Sequence, residues 1–152
     1  MPRLASLTSQ SLLGLGLALP DAIPTYIINS SFDSVTSPTY NSNPADIRSI
    51  ATQTDNKIIV AGYMDTIDGT AVGSIARLNV DGSLDTTFNP GGAGVTTSAI
   101  FSLAVSNSTN KIVAGGQFTS FNGTASNNIV GLNSDGTIDT GFNSQGGFNN
   151  QV

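Results

Sequence analysis

The chain has 152 residues, a formal net charge of −5, and charged side chains at only 10% of its positions, against about a quarter in ordinary soluble domains. It contains no His, Cys or Trp, and its ten acidic residues are all Asp. These absences exclude, within one chain, a Ser-His-Asp triad, a thiol nucleophile, a disulfide and a Cys/His zinc centre, and five Lys and Arg residues without a cluster exclude the cationic footprint of nucleic-acid binding.

Residues 1–23 read MPRLASLTSQSLLGLGLALPDAI. The apolar run Leu12–Leu19 is far shorter than the roughly 20 residues that cross a bilayer, so no membrane span is expected. Two readings remain. One is a cleaved signal peptide, with one Arg, an apolar run and then small residues. The other is an extended anchoring arm. Leu13, Leu15, Leu17 and Leu19 alternate with Gly14, Gly16 and Ala18, so a strand here carries large side chains on one face and almost none on the other. Such a strand can lie flat on a partner and extend its sheet, which makes the four leucines partner-docking candidates. Pro20 and Pro24 then end the arm as a stiff joint.

From residue 24 onward the pattern is turn-rich β. Gly numbers 17, Asn, Ser and Thr abound, and the long charged residues that surface helices are nearly absent. Asn29–Phe32, NSSF, looks like the end of a unit whose earlier part is missing. Two fuller units follow, at about 47–99 and 100–152. Residues 56–89 align with 110–143 without a gap at an offset of 54, and 16 of the 34 pairs are identical. One residue of slippage carries the match back, so that Ser49-Ile50-Ala51 meets Ser102-Leu103-Ala104.

Each unit opens with an alternating strand, IRSIAT or IFSLAV, and then a polar turn. A nearly continuous apolar run comes next, KIIVAG or KIVAGG, as expected of a strand covered on both faces. A loop through Gly69 or Gly123 leads to a third strand, SIARLN or NIVGLN. Asp81-Gly82 and Asp135-Gly136 predict two-residue hairpins into a short fourth strand ending at Phe88 or Phe142. The fold expected is all-β: tandem units of about 54 residues, each a four-stranded antiparallel blade of propeller type, after an N-terminal arm.

The motif ARLNVDGSLDTTFN, the Gly-rich linker PGGAGVTTSA after it, and the Asn-Lys-Ile start of the apolar strand with its Gly-Thr loop resemble the delta-60 repeat. That repeat occurs in bacterial surface or secreted proteins and in phage proteins. The resemblance covers about 47–152 and implies a β-propeller-like fold with no activity attached. The Leu/Gly-rich leader resembles those of structural proteins from tailed phages of cyanobacteria, over some 25 residues.

Two blades leave two apolar faces open, and closed propellers have at least four. After SQGGFNNQV a new first strand is due, so either further sequence or another subunit is expected to cover those faces.

Asn-x-Asp-Gly-x-x-Asp places Asp81 with Asp85 and Asp135 with Asp139, which makes them calcium candidates. Against this, the spacing is not that of an EF-hand and no Glu closes the loop; the plainer expectation is a hairpin whose second Asp caps backbone amides. Asp65 and Asp68 form an acid pair that unit 2 does not repeat, and are read as a solvated loop. Lys57 and Lys111, at the turn edge, are likewise expected to be solvated. Phe88 and Phe142 recur at the repeat spacing and are read as core, whereas Phe121 with Asn122 is read as an exposed ring in a ligand loop.

The function expected is a non-enzymatic structural protein of a tailed-phage virion: a capsid decoration, knob or fibre segment. Residues 1–23 anchor it and residues 24–152 project. Its partners are other virion proteins and copies of itself, with a host-surface glycan or protein met through loops near 64–73 and 118–128. No cofactor is expected. The alternative is a secreted or cell-surface bacterial propeller that binds glycans or proteins, with the leader as its signal.

Overall fold

The computed structural model describes residues 38–89, 92–95 and 98–142. The arm over 1–23, with its four candidate leucines, lies outside them. The strands, in chain order, are β1 (Thr39–Tyr40), β2 (Asn43–Pro44), β3 (Asp46–Thr52), β4 (Ile58–Tyr63), β5 (Thr66–Ile67), β6 (Thr70–Ala71), β7 (Ile75–Leu78), β8 (Ala99–Val105), β9 (Ile112–Gln117), β10 (Ser120–Phe121), β11 (Thr124–Ala125) and β12 (Ile129–Leu132). Among the described residues no helix is long and apolar enough to cross a membrane.

The two units are built alike. Unit 1 is the antiparallel sheet β3-β4-β7, and unit 2 is β8-β9-β12. In both, the central strand is the apolar run read as doubly covered. The expected fourth strand is a single bridge, Leu78 to Leu84 in unit 1 and Leu132 to Ile138 in unit 2. Its brevity has a local cause. The Asp85 carboxylate accepts from the amide and hydroxyl of Thr87, and the Phe88 amide donates to the Asp85 carbonyl, so the chain turns away after Leu84.

The Asp81-Gly82 turn is a correction. The Gly82 amide donates to the Asn79 carbonyl and the Asn79 amide to Ser83, so the loop holds three residues, with Gly82 as the left-handed closing position (φ 88°). The two-residue turns lie at Asn41-Ser42, Asp68-Gly69 and Asn122-Gly123, where both residues have positive φ, joining β1 to β2, β5 to β6 and β10 to β11. Asp and Asn tolerate that conformation, and Gly adopts it freely.

Both first strands carry a bulge at the same place, between Ile47 and Ser49 and between Ile100 and Ser102. The identical Gly62 and Gly116 sit opposite. A Cβ there would strike the carbonyl of Asp46 or of Ala99, so the bulge demands a bare position on the partner strand.

Paired residues share a sheet face, which gives each unit two named sides. The front of unit 1 carries Ile47, Ile50, Ile58, Val60, Ala76 and Leu78; its rear carries Ala51, Ile59, Ala61, Ile75 and Arg77. The rear of unit 1 packs on the front of unit 2. Ile59, Ala61, Ile75 and Phe88 join Ile100, Ile112, Ala114, Val130 and Leu132 in one buried cluster. A second cluster covers the front of unit 1, where Val60 and Ala76 meet Met64, Ile67 and Val72 from its own hairpin. Burying a large aliphatic side chain is worth about 1.5–3 kcal/mol, so the joint between units holds much of the fold's stability.

Candidate functional site

The joint carries the one deeply buried ion cluster of the described residues, built from three positions of unit 1. Lys57 stands at the entry to β4, Arg77 is on the rear of β7, and Asp85 follows the bridge residue Leu84. Asp85 Oδ2 accepts from Lys57 Nζ at 2.7 Å and from Arg77 Nε at 2.8 Å. The side chains of Arg77 and Asp85 are 9% and 5% exposed. Arg77 lies over the Phe88 ring, 5.0 Å from its centroid. Its Nη1 crosses the joint and donates to the Ser134 carbonyl at 2.8 Å.

Neighbouring bonds make this a polar seam. The Gln53 amide donates to the carbonyls of Asn110 and Ser134 at 3.2 and 3.0 Å, while its oxygen accepts from Arg77. The Asn89 amide donates to the Asp135 carbonyl at 2.7 Å. Buried polar groups without partners are costly, and here every member is satisfied.

Lys57 therefore departs from its expected solvated place. The spacing did hold a signal. Lys57 and Asp85 recur 54 residues on as Lys111 and Asp139, and that pair also bonds, Nζ to Oδ2 at 2.7 Å. Unit 2 lacks the arginine, however. Gly131 replaces Arg77, and a Cβ there would enter the Phe142 ring. Lys111 is accordingly half exposed.

The calcium candidates are occupied by protein partners. Asp81 Oδ1 accepts from the Ser83 amide and hydroxyl, and Asp135 Oδ1 from those of Thr137. Asp85 and Asp139 each cap an amide, of Thr87 and Gly141, beside their lysines. The carboxylates of one loop thus serve separate turns. Among the described residues no three metal-capable side chains come together.

All four carboxyls lie below the usual carboxylate range. For Asp85, burial pushes upward but is outweighed by the hydrogen bonds from Lys57 and Thr87 and by the charge of Arg77, and the group falls well below that range. Asp81, Asp135 and Asp139 are lowered chiefly by hydrogen bonds from Ser83, Thr137 and Lys111. A depressed carboxyl contributes stability above its unfolded value, near 3.8, and loses it as pH falls through the folded value. With no histidine to titrate, the melting temperature should stay level from about pH 8 to 6 and drop steeply below about pH 4. Calorimetry across that range checks this.

The ligand-loop expectation for Phe121 is corrected. The ring is 0% exposed and sits in the joint cluster. Successive residues of β10 point to opposite faces of the hairpin, and Phe121 takes the face that meets the core. Its counterpart Ile67, apolar and buried, was the available sign. Asn122 ties three segments together: its Oδ1 accepts from the Gly94 amide at 2.6 Å and its Nδ2 donates to Asn89 Oδ1 at 2.6 Å. Exposed at the hairpin tips are Asp68–Ala71 and Gly123–Ala125.

One surface feature had no sequence signal. Tyr40, Tyr63 and Phe101 form a row with centroids 5.7 Å apart at each step, and Arg48 lies over Tyr63. The bulges aim Arg48 and Phe101, equivalent residues of the two units, toward one place. Asp65, of the acid pair, accepts from the Asn41 amide at 2.8 Å and so anchors the β1–β2 hairpin.

Two stretches of the chain, 53–88 and 108–142, match the model of a domain of unknown function (DUF5122) described as a β-propeller. They run from the turn before β4 to Phe88 and from the turn before β9 to Phe142, one per unit. No curated protein and no solved structure matches the chain at a significant level.

Proposed function

We propose that this protein, an all-β chain of propeller-like units, is a non-enzymatic structural component of a tailed-phage virion. Residues 1–23 anchor it to the capsid or tail, and residues 24–152 form the projecting body. The observation that carries this reading is how the body's ionisable groups are used. Asp85, Lys57 and Arg77 neutralise one another in the joint, and Asp81, Asp135 and Asp139 hold turns. They serve assembly: each is taken up by a protein partner in a turn or at the joint. The resemblance of the leader to phage structural proteins supports the anchoring role. Other virion proteins and copies of the chain are its partners, and it meets a host glycan or protein through its hairpin tips, of which 68–71 and 123–125 are exposed.

Gold-labelled antibody against residues 24–152, imaged on purified particles and on the producing cells, tests this. Gold on heads or tails is expected. Gold confined to cell surfaces, with bare particles, would overturn it in favour of a secreted or surface-bound propeller.

A further inference from the structure

The joint inside the chain is directional: the rear of one unit meets the front of the next. Because the units are near copies, the same two surfaces recur without a neighbouring unit among the described residues: the front of unit 1, roofed in part by its own hairpin, and the rear of unit 2. We propose that the rear of unit 2 in one copy docks on the front of unit 1 in a second copy, continuing this joint head to tail. The proposal rests on the faces themselves and not on the virion reading.

The front of unit 1 repeats, position for position, the front that unit 2 buries. Ile47, Ile58, Val60 and Leu78 stand where Ile100, Ile112, Ala114 and Leu132 are fully covered. Its own hairpin roofs part of it, but Ile50, in the place of Leu103, is 65% exposed. Beside the Lys111–Asp139 ion pair, the rear of unit 2 holds a groove whose apolar lining includes Ala104, Val113, Gly131 and Phe142. These stand where Ala51, Ile59, Arg77 and Phe88 line the rear that unit 1 buries.

The two open faces also differ from the internal joint in matching ways. Inside the chain, Arg77 reaches across to Ser134. On the open rear the arginine's place is taken by Gly131 under the Phe142 ring. On the open front the place of Ser134 is taken by Val80, 57% exposed. The arginine that spans the internal joint is absent from the open rear, and the loop position it would meet on the open front carries an apolar side chain. Ile50 and Val80, the exposed large hydrophobic residues of the described chain, both belong to this front. A front bearing valine and isoleucine fits a rear of glycine and phenylalanine. Such a heterologous contact closes into a ring if its rotation permits. Closed propellers have roughly four to eight blades, which corresponds to about two to four copies of a two-unit chain.

Sedimentation of the full chain tests this with two variants at exposed positions. Ile50→Lys with Val80→Lys blocks the front, and Ala104→Lys blocks the rear. Wild type should sediment at two or more times the 15.5 kDa chain mass, and each variant alone at a single mass. An equal mixture of the two variants should form pairs, because it retains one good front and one good rear. Circular dichroism matching wild type confirms that the variants fold. A wild-type monomer would overturn the proposal, leaving the faces to residues of the chain outside those described. An assembly that both variants leave intact, or a mixture that fails to pair, would overturn it equally.

Discussion

Asp85→Ala should destabilise the protein by about 3–5 kcal/mol, while Asp139→Ala, at the equivalent place in unit 2, should lose far less. Both aspartates accept from a lysine at 2.7 Å and cap a turn amide. They differ in what surrounds them. Asp85 also holds Arg77, which is walled in by Phe88 and by the carbonyl of Ser134. Without the carboxylate, a guanidinium remains buried with no counter-charge, and that desolvation penalty dominates. Around Asp139 there is no arginine, and Lys111 can turn to water. Urea unfolding of the full chain measures both. Adding Arg77→Leu to Asp85→Ala should recover part of the loss, since the stranded charge is then gone. Equal losses at the two sites would show that the ion cluster is not the clasp between the units.

Phe121→Ala should lose about 3–5 kcal/mol, and Phe121→Leu less than half of that. The ring lies in the cluster that joins the two units, beside Phe118 and the strands of β9 and β12. Truncation leaves a cavity there, whereas Leu refills most of it. Against a total stability of about 5–15 kcal/mol for domains of this size, such a loss removes from about a fifth to all of the margin, so the alanine variant should melt well below wild type. Thermal melts and denaturant titrations read this directly. If Phe121→Ala melts with wild type, the ring is a surface group and a ligand role for the β10–β11 loop returns.

Much of the fold is legible in the chain because it is written in local chemistry and then repeated. The alternating runs become β3 and β8, the continuous apolar runs become the central strands β4 and β9, and SIARLN and NIVGLN give β7 and β12. The misreadings have a common origin. Asp-Gly at 81–82 is a hairpin signal of the right kind, yet Asn79 draws the bond pattern into a three-residue loop. Phe121 looks like a loop residue by neighbourhood, but alternation along β10 turns it inward. Lys57 looks solvated because the turn before it is polar, and nothing within a short window announces an aspartate 28 residues away.

Residue order alone settles the all-β class, the period of the units and the places of the turns, since these depend on backbone preferences within a few positions. It leaves open which side of each sheet meets which. Both faces of β4 are apolar, so alternation reads the same in either direction. Packing breaks that symmetry: the rear of unit 1 closes on the front of unit 2, Arg77 finds a carbonyl 57 residues away, and Gly131 replaces its counterpart where no such partner is met. Burial is a property of the assembled surfaces, and it decides which of two near-identical residues becomes a clasp and which stays in water.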